Sequence, residues 1–394
     1  MAPSPTSTRP QSQRSRLDQE HDLSFLETGL PRASARCVLR HYAASLLIYG
    51  VLLAVLLLNP WFKDLLSASV GQLEAWHCYV YLYLIYALLA PLVFFLLRPR
   101  SLWHSKNVMI LNWLGRVLRH LRRHGWTAGD GAWRPSFKEK NAFVFLLIKL
   151  IYGPLMLNGI FGSLHEYPPL FLQFQQSPTW ISKLDVAYGF FVTSVFMLDV
   201  VLFCFGYHTE AGFLRNEVRY VETTLSGLVV CLLCYGPFNM ITGAFLGPSN
   251  DNMNILFRGE LHHPLTWVLR GLAVLFLLLL TSASCSLFTK ASNLTNRGIV
   301  SRGPYRWMRH PGYVGKNLFW LCTLVPMFVA VDFSNPLFPW KDHLLQCLGR
   351  LCGYAGWVTI YVLRALTEER LLRQDPDYVA YCQKVKYRFI PGVC

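Results

Sequence analysis

The chain has 394 residues, of which 53% are apolar, 14% aromatic and only 15% charged, with a mean hydropathy of +0.31. A soluble protein would carry about a quarter charged residues and a disordered one far fewer large apolar side chains, so both classes are excluded, as are collagenous, coiled-coil and disulfide-scaffold chains. The net charge of +15 reads as basic loops held on the cytoplasmic side of a polytopic membrane protein; nucleic-acid binding is not expected, because the basic residues lie between apolar runs rather than on one domain face.

Residues 1–40 are rich in Ser, Arg, Gln and Pro without an apolar run before a cleavage site, which predicts a polar cytoplasmic tail and not a signal peptide. Eight apolar stretches follow, near 41–60, 77–97, 142–162, 184–205, 224–245, 265–287, 317–333 and 343–366. The expected fold is therefore all-α, a polytopic integral membrane protein of about eight transmembrane helices. Residues 41–284 form its N-terminal transmembrane region, and 285–394 a C-terminal region of different character. Between the second and third stretches, 98–140 alternates apolar residues with Arg at helical spacing from Trp113 to Arg123, a helix suited to lie on an anionic leaflet. The seventh stretch is short and contains Pro326, which predicts a kinked or re-entrant segment.

Charge orients the spans. With the N-terminus inside, the cytoplasmic segments hold 29 Lys and Arg and the outer loops four, Lys63, Lys183, Arg258 and Lys341. This asymmetry places both termini in the cytoplasm. Trp61, Trp76, Trp103 and Trp340 near span ends suit the interface. Arg (26) outnumbers Lys (11), a usage that suggests a GC-rich, bacterial genome; the expected location is then the bacterial inner membrane, or the endoplasmic reticulum if the source is a eukaryote. The Cys residues, including Cys231 and Cys234, sit mostly in apolar runs and read as small buried hydrophobes. No metal is expected: no second Cys pair follows at zinc spacing, and His262-His263 have no other ligand types nearby. The sequon at Asn293 falls on the cytoplasmic side, and no CaaX box precedes Cys394.

Polarity rises sharply after the sixth stretch. Residues 288–316 bring together six basic residues, four Gly, two Pro, His310 and several aromatics, with turns at Gly303-Pro304 and Pro311-Gly312. A topological anchor needs the charge but neither the turns nor the His. Beyond the eighth stretch, Arg364 and Glu368 are four residues apart on one helix face, next to Glu369. An ionisable residue at that depth is costly unless it faces protein or water. A basic aromatic tail follows, Tyr378-x-x-Tyr381 and Arg388-Phe-Ile-Pro391. Asp199 lies inside the fourth stretch, either a functional acid or a structural partner for Lys149 or an Arg at a span end.

The series Gly303-Pro-Tyr305, Arg309-His310-Pro311-x-Tyr313-x-Gly315, Glu368-Glu369, Tyr-x-x-Tyr and Arg-Phe-Ile-Pro resembles the isoprenylcysteine carboxyl methyltransferase family. That superfamily of integral-membrane enzymes also includes phospholipid methyltransferases and, more distantly, sterol reductases. The resemblance covers residues 285–394 and implies S-adenosyl-L-methionine as cofactor. It assigns cofactor binding to Arg297, Gly298, Ile299 and Val300, to Tyr305, to His310, Pro311, Gly312 and Tyr313, and to Glu368. It sets Arg364 toward the methyl acceptor, with Arg364 and Glu368 as the catalytic pair. The segment after the Glu pair is short, so Glu369 is an alternative to Glu368.

The residue types suit that chemistry independently. Methyl transfer from a sulfonium is an in-line displacement that needs positioning rather than a metal. His310 and loop Arg residues are donors for a carboxylate, Glu368 an acceptor for an amino group, and Tyr faces suit a cation. A membrane location implies a lipophilic small-molecule acceptor, with membrane lipids as the other partner; its methyl-accepting group, whether carboxylate, amine, thiol or phenol, is left open. The competing readings are an NADPH-dependent reductase of a sterol- or polyprenyl-type lipid, using the same basic loop for phosphates, and a non-enzymatic transporter or scaffold.

Overall fold

The computed structural model describes residues 32–125, 133–211, 214–236, 238–239, 255–328 and 343–393. The tail before residue 32, the end of the fifth apolar stretch, the second half of the seventh, Trp340, Lys341 and Cys394 lie outside the described residues. The long helices are α1 (Ala35–Leu58), α3 (Ala75–Leu97), α5 (Phe137–Gln176), α6 (Trp180–His208) and α8 (Pro264–Leu287). Each is long and apolar enough to cross a membrane, and they are the five described helices that are. Between them lie the short α2 (Pro60–Leu65), the amphipathic α4 (Lys106–His124) and α7 (Leu225–Leu232). The C-terminal part adds α9 (Pro311–Leu324), α10 (His343–Leu372) and α11 (Pro376–Lys384). Among the described residues, strand is limited to two-residue pairs, β1 (Ser69–Val70) with β2 (Leu73–Glu74), and β3 (Tyr220–Val221) with β4 (Thr295–Asn296), both antiparallel.

Local chemistry sets several boundaries. Thr179 and Ser182 form a reciprocal capping box that starts α6. His263 caps α8, with Pro264 at its first position, where no amide hydrogen is needed. Helix α5 runs 40 residues, well past the expected 142–162, through Pro154, Pro168 and Pro169. At 1.5 Å per residue that is about 60 Å, twice the hydrocarbon thickness of about 30 Å.

Three of the eight expected spans differ. In the fifth, α7 has only eight residues and gives way to turns ahead of Gly236-Pro237. In the seventh, the helix starts at Pro311 rather than near 317, and its 14 residues pass into a 3-10 turn at Val325–Phe328 that holds Pro326. In the eighth, α10 is long enough, but it carries Arg350 and Arg364 and is less apolar than the other five.

The chain divides into two compact units. The smaller comprises the chain through Leu53 and Tyr81–Phe143. In it, His41 Nδ1 lies 2.7 Å from Ser105 Oγ, Asn107 donates to Ser45 at 2.8 Å, and Arg116 pairs with Glu139 at 2.6 Å, which seats α4. The larger unit, Ala54–Val80 with Val144–Cys394, contains every residue of the candidate site. Its main core joins Val192 and Val195 of α6, Ala273 and Leu277 of α8, Phe319 and Trp320 of α9, and Trp357 and Tyr361 of α10. A second core packs Phe145, Ile148 and Tyr152 of α5 on Tyr207, Val218 and Cys231.

Helices α8 and α9 meet backbone to backbone at Gly315. A Cβ there would stand 2.7 Å from the Phe276 carbonyl oxygen and 2.9 Å from the Leu280 nitrogen.

Candidate active site

The loop after α8 is fixed from below by one buried arginine. Arg297 donates from Nη2 to the Gly206 carbonyl at 2.6 Å, from Nη1 to Asn216 and Thr209 carbonyls at 2.7 and 3.1 Å, and from Nε to Ser292 Oγ at 2.8 Å. Its cation thus meets open carbonyls at the C-terminal end of α6, where positive charge is favoured. The guanidinium expected to bind cofactor is committed to holding the loop.

The β3–β4 pair registers Tyr220 with Asn296. Asn296 donates to Asp375 at 2.9 Å and accepts from the Gly298 amide at 2.8 Å. Asp375 caps α11 and also receives Arg219 at 2.8 Å. Gly298 has φ +87°, a conformation that side chains disfavour. Ile299 packs on Tyr378 and Tyr381 of α11, whose Tyr381 hydroxyl donates to the Tyr305 carbonyl at 2.6 Å.

The Glu pair separates into two roles. Glu369 is buried, with a side chain 2% exposed, and its carboxylate meets Arg309 at 3.1 Å, Arg388 at 3.0 Å, His310 at 3.3 Å and Arg373 at 3.7 Å. Burial by itself would raise its pKa; the hydrogen bonds from His310 and Arg388 and the charges of His310 and Arg309 outweigh burial and hold it at about 2. Glu368, 42% exposed, opens on the cavity and accepts a 2.5 Å hydrogen bond from the Tyr313 hydroxyl through Oε2. His310 sits between the two, its Nδ1 3.9 Å from Glu368, and its ring stacks on Tyr313 with centroids 5.2 Å apart. Both ring nitrogens of His310 therefore face carboxylates, so it orients the acidic pair instead of offering a donor to an incoming anion.

The tail closes the arrangement with main-chain bonds. The amides of Arg309 and His310 donate to the carbonyls of Tyr387 and Arg388, each at 3.0 Å, and Phe389 packs on the His310 ring.

These elements enclose a cavity with about 1100 Å³ of empty space, counting its open mouth. Arg297, Gly298, Ile299, Val300, Tyr305, His310, Gly312, Tyr313, Arg364 and Glu368 all line it; Pro311 does not, and serves as the first residue of α9. Arg364 enters from α10 and is held by neutral groups. It donates to Asn293 Oδ1 and to the Tyr235 hydroxyl, and lies over the Tyr235 and Tyr313 rings at 5.4 and 5.2 Å.

Sequence reasoning missed Asn293, Lys316, Tyr235 and Tyr361 in this wall. Asn293 was visible only as part of a sequon, and Lys316 only as one more loop charge. Asp199 also lines the cavity and accepts from Ser284 Oγ at 2.5 Å, and among the described residues neither Lys149 nor an arginine pairs with it. No protein-family profile matches the chain, and no curated protein and no solved structure is significantly similar to it.

Proposed function

We propose that the protein is an integral-membrane methyltransferase that uses S-adenosyl-L-methionine to methylate a lipophilic acceptor, with eight spans and both termini cytoplasmic. The observation that carries this reading is the convergence of Tyr305, Tyr313, Glu368 and Arg364, from three separate segments, on one cavity. The donor set fits a small zwitterionic cation. Among the described residues Glu368 has Oε1 free of hydrogen bonds for an amino group, and Tyr305, Tyr313 and residues 298–300 line the same space.

When bound, the cofactor supplies an electrophilic methyl group. The chain's own part is to fix the geometry: His310 and Tyr313 hold Glu368 in place, Arg364 stays available toward the acceptor, and the Tyr387–Phe389 segment braces Arg309 and His310. A long dinucleotide with a 2′-phosphate suits this cavity less well, because Glu368 and Asp199 both border it.

The test is the thermal midpoint of purified protein. S-adenosylmethionine or its demethylated product should raise it, by about 2.7 kcal/mol of stabilisation at a hundredfold excess over Kd, and NADPH should leave it unchanged. A rise with NADPH alone would promote the reductase reading.

A further inference from the structure

Methyl transfer makes no use of α4, the basic amphipathic helix of the smaller unit. Its first half is tied to three other helices of that unit. From the first three turns of α1, His41 meets Ser105 at 2.7 Å, Arg40 donates to Asn112 at 2.9 Å, and Ser45 accepts from Asn107 at 2.8 Å. The His41 ring also stands edge-on to Phe94 near the end of α3, with centroids 4.9 Å apart. Arg116 pairs with Glu139 in the first turn of α5 at 2.6 Å, and Trp113 donates to the Trp133 carbonyl at 3.0 Å. These contacts set α4 where α1 begins, α3 ends and α5 begins. All three are long and apolar enough to cross a membrane, so their ends mark the level at which a span meets head groups.

The second half of α4 is bare. Leu111, Leu114, Leu118 and Leu121 form one stripe at helical spacing, on which Leu114 and Leu118 are exposed, Leu118 by 56%. Arg119, Arg122 and Arg123 fall at i, i+3 and i+4 on another face. All three are exposed, and among the described residues none makes a hydrogen bond or an ion pair. Acids to answer them are scarce. Against ten Lys and Arg from Arg98 to Lys140 stand Asp130, outside the described residues, and Glu139, already paired. Like charges at this spacing repel. The helix dipole favours cations in the last turn, but it gives no reason for exposed leucines beside them. Anionic head groups above acyl chains answer both, phosphates for the guanidiniums and hydrocarbon for the leucines. A nucleic acid or an acidic protein would answer the charge alone. Trp103, just ahead of α4, and Trp133 are exposed as well, as interfacial aromatics are.

We propose that α4 lies in the interface of an anionic phospholipid leaflet, where Arg119, Arg122 and Arg123 select anionic over zwitterionic head groups and Leu114 and Leu118 enter the acyl region. This lipid site is independent of what the cavity binds.

The test places the full chain in phosphatidylcholine nanodiscs that carry a small share of spin-labelled lipid. Electron paramagnetic resonance then compares how much labelled phosphatidylglycerol and labelled phosphatidylcholine the protein surface holds. The parent should favour phosphatidylglycerol by about threefold or more, and high salt should reduce the preference. Changing Arg119, Arg122 and Arg123 together to Gln should remove most of it. The same change at Arg306, Lys384 and Lys386, exposed cations of the larger unit, removes equal charge and should leave it. Leu114→Gln with Leu118→Gln removes no charge and should still weaken the preference, which a partner that reads charge alone would not require. These substitutions all fall on exposed side chains, so the variants should fold. Equal loss in the two triple variants, or a leucine variant that behaves like the parent, would overturn the proposal. So would a parent without any preference, which would leave the face to the acidic stretch of the tail from Asp18 to Glu27.

Discussion

Adjacent identical residues, Glu368 and Glu369, are set apart by one step around α10, and their substitutions should separate accordingly. Glu369 is buried among Arg309, Arg373, Arg388 and His310, and its carboxyl lies at about 2 against an ordinary 4.5. A carboxylate lowered on folding stabilises the protein fully above its ordinary pKa, and that share fades as pH falls toward the folded value. The difference corresponds to about 3 kcal/mol. Glu369→Gln should therefore unfold well below the parent at pH 7, and the gap between the two thermal midpoints should close between pH 4.5 and 2. Glu368→Gln should unfold like the parent but bind S-adenosylmethionine roughly tenfold more weakly, since a hydrogen bond to a charged group is worth about 1.5–3 kcal/mol. Equal effects of the two changes in calorimetry and ligand titration would deny the division. The sequence left this choice open for a physical reason. Neighbours on a helix point about 100° apart, and which one meets the cavity depends on the rotation of α10, which no local pattern fixes.

At the scale of the element, a close approach and an anchor carry the architecture. Gly315 lets α9 lie against the α8 backbone, and Gly315→Val should force the two apart, cost about 1–3 kcal/mol by overpacking, and lower the midpoint measured by scanning calorimetry. Arg297 ties the loop to the end of α6 through four hydrogen bonds in a planar fork. Arg297→Lys keeps the charge but not the fork, so it should destabilise the fold by several kcal/mol, and ligand binding should fall only in step with folded fraction. The motif that begins at Gly303 was legible because its residues are contiguous, and the Arg364–Glu368 spacing because it follows the helix period. Asp199, Asn293 and Lys316 were not, since they enter the cavity from three different segments and only packing unites them. Arg297 was legible as a site residue in position but not in role, because its partners are main-chain carbonyls, which every residue has.

For the whole molecule, the prediction concerns sidedness. The 29 to four distribution of basic residues favours a cytoplasmic C-terminus, so alkaline phosphatase fused after Cys394, active only outside the membrane, should be silent; an active fusion would remove the even number of spans. Span count was the least legible property, because hydropathy alone does not separate a crossing helix from α9, whose 14 residues reach about 21 Å. The main-chain bonds between Arg309–His310 and Tyr387–Arg388 also say something about time. The ribosome makes the His-Pro segment long before the strand of chain that braces it, and α10 must be threaded into place in between. A nascent polypeptide stalled short of residue 387 would display the motif from Gly303 to Gly315, the Glu pair and both tyrosines of α11, and still lack the segment that braces His310, so quality control has a window in which most of the signature sits on an unfinished fold.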